Sequence, residues 1–162
     1  MIDSPSSLPD NAGVRVFPPG VFIGGLAIGY AIQWLWPIPI LPADMALAIR
    51  ILGALLFVVG VCFIALATGA FRRAGTSVVP IEPTTALTFE GPYTFTRNPM
   101  YLGMALILAG LAGVGNALWP LLMVIPAVAI VQTQVIAKEE AYLERKFGAE
   151  YLAFKARVRR WI

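Results

Sequence analysis

Two groups of polar side chains interrupt an otherwise apolar chain, one between Tyr93 and Tyr101 and one between Gln132 and Glu140. Arg97-Asn98-Pro99 opens a long apolar run. Proline suits the first turn of a helix because it has no N–H to leave unpaired, and asparagine suits the capping position before it. A helix starting there presents free backbone N–H groups and a positive dipole end, which with Arg97 alongside make an anion site. Glu139-Glu140 follows the next apolar run and supplies carboxylates for a cation. If the two runs form a helical hairpin turning near Leu118, Arg97 and Glu139 are equally far from the turn along the chain. At ~1.5 Å of rise per residue, two antiparallel helices bring them to the same depth. Gln132 lies seven residues before Glu139, which places it on the same helix face and one to two turns deeper. The expected product is a pocket mouth lined by a guanidinium, two carboxylates, a carboxamide and the phenols of Tyr93 and Tyr101.

Each of these residues also has a plainer reading. Arg97 could be a snorkelling side chain at a helix end. Glu139-Glu140 could be a solvated helix start, Gln132 could bond a neighbouring helix, and the tyrosines could be interfacial aromatics. Types and spacing alone give a polar pocket and no reaction. They do exclude some chemistry. The chain has no histidine, so the commonest general base and metal ligand and any Ser-His-Asp triad are absent. Its one cysteine, Cys62, sits in an apolar run, which excludes an intrachain disulfide and a Cys-based metal site. No metal and no nucleic acid is expected as a partner.

The elements that must position these groups are membrane helices. Hydrophobic residues make up 59% of the 162 and charged residues 13%, against roughly 45–50% and about 25% in soluble domains. No cleavable signal peptide is evident, since the first eighteen residues are polar and Pro-rich. Four apolar stretches, about Pro19 to Trp36, Ala46 to Ala70, Met100 to Gly115 and Leu118 to Ala137, each approach the ~20 residues that cross a bilayer as a helix. The fold class expected is an all-α integral membrane protein of about four transmembrane helices. It forms one membrane domain over residues 1–162: two scaffold spans over 19–70, a loop over 71–98, a helical hairpin over 99–137 and an amphipathic tail helix over 138–162. With four spans, both termini and the 71–98 loop share one side, which collects eleven of the twelve Lys and Arg residues; Arg50 alone is on the other. The positive-inside rule makes that side cytoplasmic. In the tail, Leu143, Phe147, Tyr151, Phe154 and Val158 recur at helical spacing, and Arg157, Arg159 and Arg160 could meet anionic head groups with Trp161 at the interface.

Gly91-Pro92-Tyr93 followed by Arg97-Asn98-Pro99-Met100-Tyr101-Leu102-Gly103 resembles the G-x-Y-x-x-x-R-[HN]-P-x-Y-x-G signature of the isoprenylcysteine carboxyl methyltransferase and phospholipid methyltransferase superfamily. Glu139-Glu140-x-x-Leu143, then Phe147-Gly148-x-Glu150-Tyr151-x-x-Phe154, resembles that superfamily's second signature. Gly75-Thr76 and Pro80 fit its short bacterial branch, for which a bacterial inner membrane is the expected location. The likeness spans roughly residues 70–162.

The resemblance implies a membrane methyltransferase that uses S-adenosylmethionine. It implies cofactor binding by Tyr93, Arg97, Asn98, Pro99, Tyr101, Leu102, Gly103, Gln132, Glu139 and Glu140, with Arg97, Glu139 and Glu140 in the catalytic centre. The methyl acceptor would be a lipophilic or small molecule reached from the membrane lipid: a carboxylate, an amine or a thiol. Where eukaryotic prenylcysteine enzymes have histidine after the signature arginine, this chain has Asn98, so the acceptor stays open. Two other readings stay open as well. One is a nicotinamide-dependent membrane reductase of related fold. The other is a non-catalytic transport or assembly protein, although the spans carry no central ionisable group of the kind transport would need.

Overall fold

A computed structural model of the protein describes residues 10–75 and 85–162. Thr76 and Pro80 lie outside the described residues. Among those residues the fold is all-helical, with no strand beyond one isolated bridge between Pro39 and Ala117. Helix α1 spans Pro18–Leu35. A one-turn 3-10 segment, Ala43–Met45, leads into α2, Ala46–Arg73. A second 3-10 turn, Gly91–Thr94, precedes α3, Pro99–Val114. Helix α4 runs from Leu118 to Phe147, and α5 from Ala149 to Arg157.

Two helices, Ala43–Arg73 and Leu118–Phe147, are long and apolar enough to cross a membrane. Large apolar side chains stay exposed along α2, including Leu47, Ile51, Leu55, Val58 and Leu66. Water would penalise that surface and hydrocarbon would not. Helix α3 has 16 residues, which is only about 24 Å of rise.

Packing between α2 and α3 is set by small residues. A Cβ on Gly60 would lie 2.6 Å from the carbonyl oxygen of Gly103, and one on Gly103 would lie 2.7 Å from that of Gly60. The two backbones therefore touch, as small-residue seams between membrane helices allow. At the loop end of the bundle, the α3–α4 turn closes on the α1–α2 connection through Asn116. This residue takes a left-handed conformation, φ 47°. Its Oδ1 accepts the N–H groups of Ile40 and Leu41 at 3.1 and 2.9 Å, and its Nδ2 donates to the Leu41 carbonyl at 2.8 Å.

The tail departs from the sequence expectation. No separate helix begins at Lys138. Helix α4 continues unbroken through the charged segment to Phe147, because no residue there stops a helix. It ends at Gly148, whose φ of 53° favours glycine. Within α4, Gln132–Ile136 form a π turn. After α5 the chain leaves helical geometry at Val158 and folds back under the bundle. Trp161 consequently packs, partly buried, against the core that contains Tyr101, Val131, Val135 and Ile136.

Candidate functional site

The cavity lies where the start of α3, the last third of α4 and the face of α5 converge, opposite the end stitched by Asn116. Its lining includes Tyr93, Arg97, Asn98, Pro99, Tyr101, Glu139 and Glu140, with an apolar wall from Phe71, Leu87, Met100, Leu143 and Phe154. The empty space, counting the open mouth, is about 860 Å³.

Local sequence explains how each group arrives. Pro92 and Gly91 (φ 59°) shape the turn that buries Tyr93 against α2, where its ring meets Phe71 edge-on at 5.4 Å. Pro99 occupies the first turn of α3, so Tyr101 emerges half a turn further on, facing α4. Its hydroxyl donates to Glu139 Oε1 at 2.7 Å across 38 residues of sequence. The hairpin thus brings its two ends to one depth. Arg97 meets the other carboxylate, with Nη2 3.2 Å from Glu140 Oε1.

Glu140 is doubly held. Arg160 approaches from the folded-back tail, with Nε 3.0 Å from Oε1 and Nη2 2.6 Å from Oε2. The Arg97 and Glu140 side chains are 8% and 7% exposed. Two donors of Arg97, Nε and Nη1, are buried without a hydrogen-bond partner among the described residues. Leaving a buried donor unmade costs about 1–3 kcal/mol, and more on a charged group. Such atoms beside a cavity are open to an acceptor from outside the described residues.

The neighbouring carboxylate is less strongly committed to its charge. Glu139 lies two residues beyond the apolar stretch of α4, which ends at Ala137. Burial raises its pKa and Glu140 adds to the rise, while the Tyr101 hydrogen bond opposes it; the carboxyl is pushed up to about 7. As a whole residue Glu139 is only half-buried. Its carboxylate, however, turns inward to Tyr101, and that end governs its titration. Burial likewise raises Tyr151 to about 12, so its hydroxyl stays protonated, and it pushes Tyr93 up as well.

Three of the residues singled out from sequence stand elsewhere. Gly103 faces Gly60 on α2. Leu102 does not line the cavity. Gln132 accepts the indole N–H of Trp161 at 2.8 Å and does not reach the mouth. The π turn between Gln132 and Glu139 shifts the inward face of α4, so the simple seven-residue spacing fails there. Asn98 sits at the capping position but makes no side-chain cap; its Nδ2 donates to the Arg160 carbonyl at 2.9 Å. Composition and periodicity did not reveal Arg160, because only long-range folding brings it to Glu140.

The N-terminal segment also borders the cavity. Ala12 lines it, and Val14 is buried in the core beneath. Asp10 accepts from Lys146 Nζ at 2.7 Å and from the Tyr142 hydroxyl at 2.9 Å. Those two hydrogen bonds hold the Asp10 carboxyl below its ordinary value.

Comparison with known proteins agrees with this architecture. A Haemophilus influenzae protein described as an uncharacterized protein is 50% identical over 64 residues, covering 39% of this chain and all of that protein. No solved structure matches. The family model for phospholipid methyltransferase matches residues 48–150, a range that takes in α2, α3, α4 and most of the cavity lining. This chain is therefore a membrane protein of the phospholipid methyltransferase family.

Proposed function

We propose that the protein is an S-adenosylmethionine-dependent methyltransferase whose cofactor site is this cavity. The observation that carries the reading is the pair of buried, unpartnered Arg97 donors across from Glu139. The family supports methyl transfer in a membrane, and the donor set fits the methyl donor. Arg97 Nε and Nη1 point to different sides of the guanidinium, and each is a charge-assisted donor that suits an oxygen of its carboxylate. Glu139 suits its ammonium, and the tyrosine hydroxyls suit its ribose. Phe71, Phe154 and Leu143 offer an apolar wall for adenine.

When bound, the cofactor supplies a methyl group on a cationic sulfonium, open to in-line displacement. What the chain must contribute is chiefly alignment and exclusion of water. Arg97 fixes one end of the amino-acid moiety, and Glu140 fixes Arg97. A carboxylate acceptor needs no base, so the absence of histidine is no obstacle. An amine or thiol acceptor must lose a proton, and Glu139, titrating near neutrality, is suited to take it. Glu140, held by two arginines, is the poorer candidate.

In this reading four helices span the bilayer, with α3 completed by the residues just before it. Both termini and the cavity face the cytoplasm, an orientation that the Lys and Arg distribution supports. The acceptor is lipophilic or small and arrives through the inner leaflet. Calorimetry on the purified protein tests the site. S-adenosylmethionine binding should weaken at least tenfold in both Arg97→Ala and Glu139→Ala. Unchanged binding in both variants would remove the site assignment. NADPH binding by a wild type that ignores S-adenosylmethionine would favour the reductase reading.

A further inference from the structure

The family match ends at residue 150, yet the segment 159–161 is tied at five points to residues in and around the cavity lining. The Arg97 N–H donates to the Arg159 carbonyl at 3.0 Å. The Thr96 hydroxyl and Asn98 Nδ2 both donate to the Arg160 carbonyl, at 3.0 and 2.9 Å. Trp161 donates to Gln132, and the Arg160 guanidinium grips both oxygens of Glu140. Thr96 and Asn98 are 1% and 8% exposed, so these bonds are made inside the protein.

The arrangement decides which donors of Arg97 are free. Glu140 could in principle take Arg97 in a two-point pair, which would use Nη2 together with either Nε or Nη1 and leave only one of those two nitrogens for a ligand. Arg160 forestalls this by occupying both Glu140 oxygens itself, and Arg97 keeps a single contact through Nη2. Nε and Nη1 stay unpartnered among the described residues. The balance of charge points the same way: two guanidiniums face the one Glu140 carboxylate, and the excess positive charge is a reason for an anion to enter.

We infer that Arg160 is a positioning residue for the cofactor's carboxylate, acting through Glu140 on Arg97. The inference rests on the cofactor reading above and assigns Arg160 a role within it. It makes Glu140 a support for Arg97 and leaves Glu139 as the carboxylate that meets ligand.

Two ligands separate positioning from plain structural support. S-adenosylhomocysteine carries the carboxylate and ammonium; 5′-methylthioadenosine has the same nucleoside and thioether and lacks both. Calorimetry on the full-length chain should show Arg160→Gln weakening S-adenosylhomocysteine at least tenfold while changing 5′-methylthioadenosine less than threefold. Arg160→Lys, which keeps the charge but not the two-point grip, should recover part of the loss. Trp161→Phe loses the Gln132 bond but leaves the ion pairs, and should behave almost as wild type with both ligands. Its unchanged binding shows that loosening the tail alone is not the cause. Equal weakening of both ligands in Arg160→Gln overturns the positioning role, as does unchanged binding of S-adenosylhomocysteine. If the wild type binds neither ligand, the cofactor reading falls and this inference with it.

Discussion

On the proposed cofactor reading, binding should strengthen steeply as the pH rises toward neutrality, because Glu139, the carboxylate assigned to the ligand's ammonium, is pushed up to about 7 by the fold. Glu139 titrates at about 7, raised first by burial and further by Glu140, with the Tyr101 hydrogen bond pulling the other way. A carboxyl with that pKa is about 3% ionised at pH 5.5 and about 75% ionised at pH 7.5. If only the ionised form receives the ammonium, the dissociation constant for S-adenosylhomocysteine falls by roughly 25-fold across that range, or about 1.9 kcal/mol. The window must close at pH 7.5, since an α-amino group begins to lose its own proton at about 7.7–8.0.

Calorimetry at half-unit steps would trace the profile, and two variants assign it. Glu139→Gln should bind more weakly and give a flat profile. Tyr101→Phe loses the bond that favours the ionised form, so its midpoint should move to higher pH. Stability of the unliganded protein should run the opposite way. A carboxyl raised above its unfolded value contributes stability that is complete below about 4.5 and lost as the pH rises through about 7. Thermal melts should therefore show the ligand-induced rise in melting temperature growing with pH. A wild-type binding profile that is flat from 5.5 to 7.5, or one that persists in Glu139→Gln, would refute this reasoning.

Two further predictions concern the scaffold. Gly60→Ala puts a methyl group against the Gly103 carbonyl on α3, and should cost about 1–3 kcal/mol by forcing the two backbones apart; melts in detergent micelles would show the loss, while Gly24→Ala, which meets nothing within 4 Å, should show none. Asn116→Ala removes three hydrogen bonds to the α1–α2 connection and strains a left-handed φ, for an expected loss of about 2–4 kcal/mol. Asn116→Gly should recover only the backbone share, and equal melting of the alanine and glycine variants would show that φ contributes nothing.

Much of this fold is legible in the sequence because apolar runs are bounded by residues that stop helices. Pro18 and Pro99 open α1 and α3, and each helix of the bundle starts within about a residue of its apolar stretch. The far end of α4 is not legible in the same way. Lys138-Glu139-Glu140 reads as a boundary by charge, yet charge does not break a helix and the chain continues to Gly148. That glycine was the available signal. The π turn leaves no compositional trace, so the face on which Gln132 lies could not be read from spacing. The placement of Arg97, Tyr101, Glu139 and Glu140 around one cavity follows from counting residues either side of a turn. The contact between Arg160 and Glu140 depends on where a terminal segment settles after the helices have packed, and no periodicity encodes that.

The unequal legibility has a physical basis in how the bundle is fixed. Asn116 pins the loop end, and contact between Gly60 and Gly103 pins α2 to α3. The depth of Arg97 and Glu139 then follows from helical rise alone. Distance along the chain says nothing about which donor of Arg97 is left free, since the guanidinium can turn on a flexible stem within a fraction of an ångström of the same position. That choice is left to short-range ion pairing at the open end, where Glu140 stands between two arginines. A rigid hairpin thus sets where the site is, and the tail sets which atoms it offers. Substitutions in the glycine seam should accordingly lower stability and affinity for every ligand together, whereas substitutions at Arg160 should discriminate between ligands with and without a carboxylate.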